Sequence, residues 1–126
     1  MRRKPLIYLA SPYSAPSEAE QFARFHIVCE WTGRLMRDRD VLVFSPIAHS
    51  HPIAQAMIGG TTWAYWAEFD LRMLDVCDEL WIACLPGYSE SVGGKEERKA
   101  AVLSGKTVRL VTEVRDGTGR LRVRKV

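Results

Sequence analysis

No apolar run in this sequence exceeds a handful of residues, far short of the roughly 20 that a membrane-spanning helix needs. Membrane partners are therefore not expected. Cysteine is scarce: Cys29, Cys77 and Cys84 make an odd count with no C-x-x-C pair. That pattern reads as buried, reduced thiols rather than a disulfide framework. The basic start, Met1-Arg2-Arg3-Lys4-Pro5, runs into a strand-like stretch and Pro12, without the apolar core and small-residue cleavage site of a signal peptide. A cytoplasmic protein is expected. Internal repeats and low-complexity linkers are also missing, which excludes a solenoid and a disordered chain. What remains, 126 residues and 14.3 kDa with 47% apolar and 26% charged side chains, fits one domain spanning 1–126.

The net charge of +3 is a local excess. Arg115, Arg120, Arg122, Arg124 and Lys125 crowd around Asp116-Gly117-Thr118-Gly119, which reads as a C-terminal basic hairpin with a polar tip. No aromatics are interleaved for base stacking, so a charged, solvated edge strand is expected and nucleic acid is disfavoured as a partner.

Strand-like and helix-like segments alternate along the chain. Leu6 to Ala10 is a short apolar run closed by Ser11-Pro12. Ser17 to Arg37 reads as a helix, with Ser17-x-x-Glu20 as a capping box and Phe22, Phe25, Cys29, Leu35 and Met36 as its apolar face. Val41 to Phe44 is a second strand. Ile47 to Gly60, with His49, His51, Pro52 and Gly59-Gly60, is too interrupted to assign. Thr61 or Thr62 caps a helix to about Val76, Glu79 to Cys84 is a third strand, and Gly93 and Gly94 introduce a helix ending at Ser104-Gly105. Thr107 to Thr112 is a fourth strand. The alternation predicts an α/β, Rossmann-like (flavodoxin-like) three-layer sandwich with a mostly parallel sheet. Ligands of such sheets bind beyond the carboxyl ends of the strands, in segments 11–17, 45–60 and 85–94.

Two acids stand where acids are costly. On a helical wheel Trp63, Trp66, Ala67, Met73, Leu74 and Cys77 form one stripe, and Asp70 falls near its middle, opposite Glu68, Arg72 and Asp75. A carboxyl group there should have a raised pKa; a structural cap on neighbouring backbone and a chemical role both fit. In the next helix Glu97 shares a face with Ala100, Ala101 and Ser104, in what reads as the first turn, where the helix dipole favours the ionised form. A simple complement to the dipole and a chemical role again both fit. As a pair, one protonated and one ionised acid match the division of labour in glycosyl chemistry.

Three blocks in order resemble the nucleoside 2-deoxyribosyltransferase superfamily: Leu6-Ile7-Tyr8-Leu9-Ala10-Ser11-Pro12-Tyr13, Asp70-Leu71-x-x-Leu74-x-x-Cys77-Asp78-x-Leu80-Trp81, and Ser91-x-Gly93-x-x-x-Glu97 followed by Gly105-Lys106. Ser45-Pro46-Ile47-Ala48-His49 and Leu85-Pro86-Gly87 are similar to stretches of its small bacterial and phage members of unassigned function. The resemblance implies that Glu97 attacks C1′ of a deoxyribose, that Asp70 protonates or orients the leaving base, and that Tyr8 hydrogen-bonds near the reacting carboxylate. It implies no cofactor and no metal, and a homo-oligomer, dimer or tetramer, whose neighbouring chains complete the site.

Ser91 stands where the superfamily's transferases tend to carry aspartate and its 2′-deoxynucleoside 5′-phosphate N-hydrolases carry serine. A hydroxyl beside Gly93 at a helix N-terminus suits a phosphate, although Ser91 as a plain helix cap fits equally well. The hydrolases continue the first strand with Gly-Ser-Ile-Arg, where this chain has Ser11-Pro12-Tyr13-Ser14. Pro12 cannot donate a backbone bond and no arginine follows; Tyr13 is placed to stack on the base. His49-x-His51 lacks a third ligand at a useful spacing, so His49 is expected to contact the base and not a metal. His26 is expected to be structural. The expected substrate-binding set is thus Ser11, Tyr13, Ser14, His49, Ser91 and Gly93. The expected reaction is cleavage of the N-glycosidic bond of a nucleoside 5′-monophosphate through a glycosyl-glutamate. Transfer of deoxyribose between bases, or nucleotide binding without turnover, are the alternatives.

Overall fold

The computed structural model describes residues 3–57, 62–89 and 92–126, without the side chains of 92 and 93. Elements follow in the order β1 (Leu6–Ala10), α1 (Glu18–Asp38), β2 (Leu42–Phe44), α2 (Pro46–Ala56), α3 (Trp63–Val76), β3 (Glu79–Ala83), α4 (Val92–Leu103), β4 (Thr107–Glu113) and β5 (Leu121–Lys125). The sheet order is β2-β1-β3-β4-β5. The first four strands are parallel, and β5 runs antiparallel to β4, with Val111 opposite Val123.

Alternation along the strands splits the core into two layers. Ile7, Leu9, Trp81, Ala83, Val111 and Leu121 face Val28, Trp31 and Leu35 of α1. Tyr8, Ala10, Leu80, Ile82 and Val108 face Leu74 and Cys77 at the end of α3 and Ala101 of α4. This is the three-layer α/β sandwich expected from the alternation of segments. Each fully buried large apolar side chain contributes about 1.5–3 kcal/mol of transfer free energy, so the six strand residues facing α1 are a main anchor of that layer.

Several details differ from the pattern read in the sequence. The buried face of α1 is Val28, Trp31 and Leu35, whereas Phe22 is 58% exposed and Met36 45% exposed. The true stripe begins half a turn away from those two, because the sheet meets α1 on the side where tryptophan and leucine align. Ser17 caps α1 by accepting from the Glu20 amide. Residues 46–56, left unassigned above, are helical. Pro46 sits in the first turn, where a missing N–H costs nothing, and Ser45 accepts from the Ala48 amide. Pro52 lies inside α2, which misleads a reading that treats proline as a helix stop. Of the three free thiols only Cys77 is buried; Cys29 and Cys84 are half-buried. Residues 1–2, 58–61 and 90–91, including Gly59, Gly60, Thr61 and Ser91, lie outside the described residues.

Helices α3 and α4 are tied together at their C-terminal ends. Gly105, at φ +70, closes α4: its amide reaches the Val102 carbonyl and the Lys106 amide reaches that of Ala101, which is the Schellman arrangement. That turn aims the Lys106 ammonium back at α3, where it donates to the carbonyls of Asp75 at 3.0 Å and Cys77 at 2.7 Å. A cation at the negative end of α3 is also favoured by the helix dipole.

Candidate active site

The strand order reverses direction between β1 and β3, since β2 lies on one side of β1 and β3 and β4 on the other. At such a switch point the connections leaving adjacent strands part to opposite faces, and a crevice opens at their carboxyl ends. Tyr8 lies at the middle of β1, in register with Leu80 of β3, on the face covered by α3 and α4. Its hydroxyl donates to Oε2 of Glu97 on α4. Asp70, from α3, adds a second carboxyl close enough for its charge to act on both Tyr8 and Glu97. The three groups are almost wholly removed from solvent: Tyr8 is 0% exposed, Glu97 5% and Asp70 6%.

Burial dominates the electrostatics. It pushes the Glu97 carboxyl up to about 8, with the Asp70 charge pushing the same way and the Tyr8 hydrogen bond opposing. Burial alone pushes Asp70 up to about 6. Tyr8 is driven far above the ordinary phenol range by burial first and then by the Glu97 and Asp70 charges, so it serves as a fixed O–H donor. The expectation that the helix dipole keeps Glu97 ionised is corrected here. Helix α4 starts at Val92, which puts Glu97 in the second turn, beyond the reach of the dipole, and inside the protein. Both carboxyls are thus raised by burial, and near neutral pH a proton is held by the pair.

Aromatic rings wall the site. Phe44, at the end of β2, lies 5.7 Å from the Tyr8 ring and 6.0 Å from His49. His49 stacks on Phe69 of α3 at 4.7 Å and meets Trp66 edge-on. Helix α2 thus spans the end of the sheet, with Ile47 packed on the α1 side and His49 on the α3 side. Four buried polar atoms have no hydrogen-bond partner among the described residues: Asp70 Oδ1, His49 Nδ1, Ser11 Oγ and Trp63 Nε1. Native proteins leave few such groups, and these come from the segments that end β1, follow β2 and form α3.

The remaining expected site residues divide. Tyr13 joins a second cluster, its hydroxyl 2.6 Å from Nδ1 of His51, which in turn stacks on Phe25 at 4.2 Å. Ser14 is exposed, but its carbonyl accepts a 2.7 Å bond from Arg24. Gly93 lies in the first turn of α4. His26 is exposed and pairs with Glu30 at 2.9 Å. Among the described residues no group of three or more His, Cys, Asp or Glu side chains could hold a metal ion, and no helix is long and apolar enough to cross a membrane. Phe44, Phe69 and Arg24 were missed in the sequence. Arg24 had a usable signal: it stands at the helical spacing 24, 28, 31, 35 with Val28, Trp31 and Leu35, a cation on an apolar stripe.

A parallel sheet with helices on both faces, and paired buried carboxyls at its switch point, define an α/β protein with an enzyme-like crevice. Residues 5–113 match the family described as a domain of unknown function, DUF1937, and the chain belongs to that family. No curated protein matches the sequence significantly. Among solved structures, the chain is similar to a 2-deoxyribosyltransferase from the psychrotolerant bacterium Bacillus psychrosaccharolyticus. The two are 25% identical with a TM-score of 0.58, over 83% of this chain and 70% of the other. A prokaryotic SEFIR domain, 12% identical, has a TM-score of 0.51 over 91% of this chain and 71% of its own; that likeness is one of fold alone. The resemblance to the nucleoside 2-deoxyribosyltransferases thus holds in sequence and in fold.

Proposed function

We propose that the protein is an enzyme that cleaves the N-glycosidic bond of a nucleoside, with a 2′-deoxynucleoside 5′-monophosphate as the preferred substrate. The observation that carries this reading is the buried trio of Tyr8, Glu97 and Asp70 at the switch point of the sheet. The likeness in fold to a 2-deoxyribosyltransferase supports it.

In this reading the singly protonated pair delivers its proton through Asp70, whose Oδ1 has no hydrogen-bond partner among the described residues, to a ring nitrogen of the departing base. Loss of that proton leaves Glu97 as a carboxylate. Tyr8 holds one of its oxygens, and the other attacks C1′: the C1′–N bond breaks, a C1′–O bond to Glu97 forms, and the base leaves neutral. An acceptor then attacks C1′ from the opposite side, the glutamate departs as a carboxylate, and the acceptor's proton returns to the pair. Water as acceptor gives hydrolysis. A second base as acceptor gives transfer, a reading favoured by the activity of the similar solved structure. The 5′-phosphate would lie toward the start of α4, near Gly93 and Ser91, where backbone N–H groups favour an anion. Ser11, Tyr13, Ser14 and His49 line the approach, with His49 in its ring stack facing the base. The assembly is proposed to be a dimer or tetramer.

Incubation with a panel of nucleosides and their 5′-monophosphates, with and without an added free base, tests the proposal through released and exchanged bases read by mass. Base release should appear with the wild type. It should vanish in Glu97→Ala and fall about 100- to 10,000-fold in Asp70→Asn. Undiminished base release by folded Glu97→Ala would overturn the mechanism.

A further inference from the structure

We propose that Arg24 binds the anionic group of the substrate, so that the β1–α1 loop and α1, and not only the start of α4, select a phosphorylated nucleoside. The inference rests on the function proposed above and adds a residue to it that none of the sequence motifs contains.

Arg24 is a half-buried residue in the second turn of α1. Among the described residues its one hydrogen bond goes to a neutral acceptor, the carbonyl of Ser14 in the loop leaving β1. Among the described residues no carboxylate pairs with it, although the two other half-buried arginines described, Arg34 and Arg109, each have one: Glu113 and Glu30 for the first, Glu79 for the second. A guanidinium carries five donors, and removing it from water without a counter-charge is unfavourable. On its other side the group abuts Gly87 in the loop leaving β3. A Cβ at Gly87 would stand 3.2 Å from Arg24 Nη2, and Gly87 is held at φ +92. Glycine at that position therefore serves both the turn and the close approach of the arginine.

The two loops that Arg24 touches leave β1 and β3, the adjacent strands that flank the crevice. Ala10 at the end of β1 lies in register with Ile82 of β3, one strand residue before the loop that carries Gly87. The trio of Tyr8, Glu97 and Asp70 is buried on the α3–α4 face of the sheet, and Arg24 stands on α1 between the loops that follow β1 and β3. A substrate lying across the crevice would present its sugar to Glu97 and a terminal anion to the guanidinium. The planar fork suits the paired oxygens of a phosphate monoester.

The test measures binding and turnover separately. Calorimetric affinities of Glu97→Gln for a deoxynucleoside and for its 5′-monophosphate are compared with those of the double variants carrying Arg24→Met or Arg24→Lys. Arg24→Met should lose about 10- to 100-fold in affinity for the monophosphate and leave that for the nucleoside unchanged. Arg24→Lys should recover part of the loss, and thermal melts establish that each variant is folded. Equal losses for both ligands would mean that Arg24 only holds the Ser14 loop, and no loss would mean that it faces away from the anion; either overturns the inference, as does absence of binding by both ligands. Phosphate-dependent binding without base release by the wild type would instead overturn the proposed reaction and leave the anion site standing.

Discussion

At the residue scale the decisive feature is one proton shared by two acids in an apolar setting. With Asp70 pushed up to about 6 and Glu97 up to about 8, the rate of base release should trace a bell against pH, its limbs near those values. Tyr8 lowers the Glu97 pKa through its hydrogen bond. Tyr8→Phe should therefore move the alkaline limb to higher pH and slow the reaction, which a pH–rate profile of the variant reads directly. The same shifts set the pH dependence of folding. Both carboxyls bind protons more tightly in the folded protein than in the unfolded chain. Their favourable contribution is thus complete below the ordinary carboxylate range and is lost as pH rises through about 6 and then about 8. Glu97→Gln cannot ionise, so its melting temperature should match that of the wild type at pH 5 and exceed it by on the order of 5 °C at pH 8. A gain independent of pH would show that Glu97 is not buried as a neutral acid.

At the element scale, the distance between Asp70 and Glu97 depends on how α3 and α4 are held. The Schellman turn at Gly105 and the Lys106 ammonium on the carbonyls of Asp75 and Cys77 fix that relation far from the chemistry. Gly105→Ala forces an alanine into left-handed backbone and should cost about 1–2 kcal/mol in a urea melt. Lys106→Met removes two charge-assisted bonds and should cost about 1–3 kcal/mol, with a fall in kcat at temperatures where the variant is still fully folded. Retention of kcat would show that core packing alone sets the spacing. Much of this scale was legible in the sequence. Asp70 could be found because a carboxylate interrupts a tryptophan-rich stripe, and Glu97 because its face is otherwise small. Helix α2 could not, because Pro52 breaks the local rule while tertiary packing of Ile47 and His49 sustains the helix. The ionised state expected of Glu97 was misread for a related reason: a helix start misplaced by a couple of residues turns a dipole-stabilised position into a buried one.

For the whole molecule, the strand–helix alternation specifies the layers, and the reversal of strand order locates the crevice. Neither reveals which loops meet over it, and so Arg24, 63 residues from Gly87 in sequence, was visible only as an oddity on α1. Helices α3 and α4 also leave Tyr65, Val76, Val102 and Leu103 exposed, large apolar groups of the kind that mark interaction surfaces when they lie together. In keeping with the proposed assembly, light scattering after size exclusion should give a mass at least twice 14.3 kDa, and Val102→Glu with Leu103→Glu should reduce it. An unchanged monomeric mass for the wild type would exclude self-association through these helices.

The dyad of Tyr8 and Glu97 joins residues 89 positions apart, and the strand between them in the sheet is contributed by the intervening chain. During synthesis, a ribosome that has released everything up to the end of β3 has supplied the phenol and Asp70 but not Glu97. On the proposed mechanism, a nascent chain stays inactive until α4 emerges and docks.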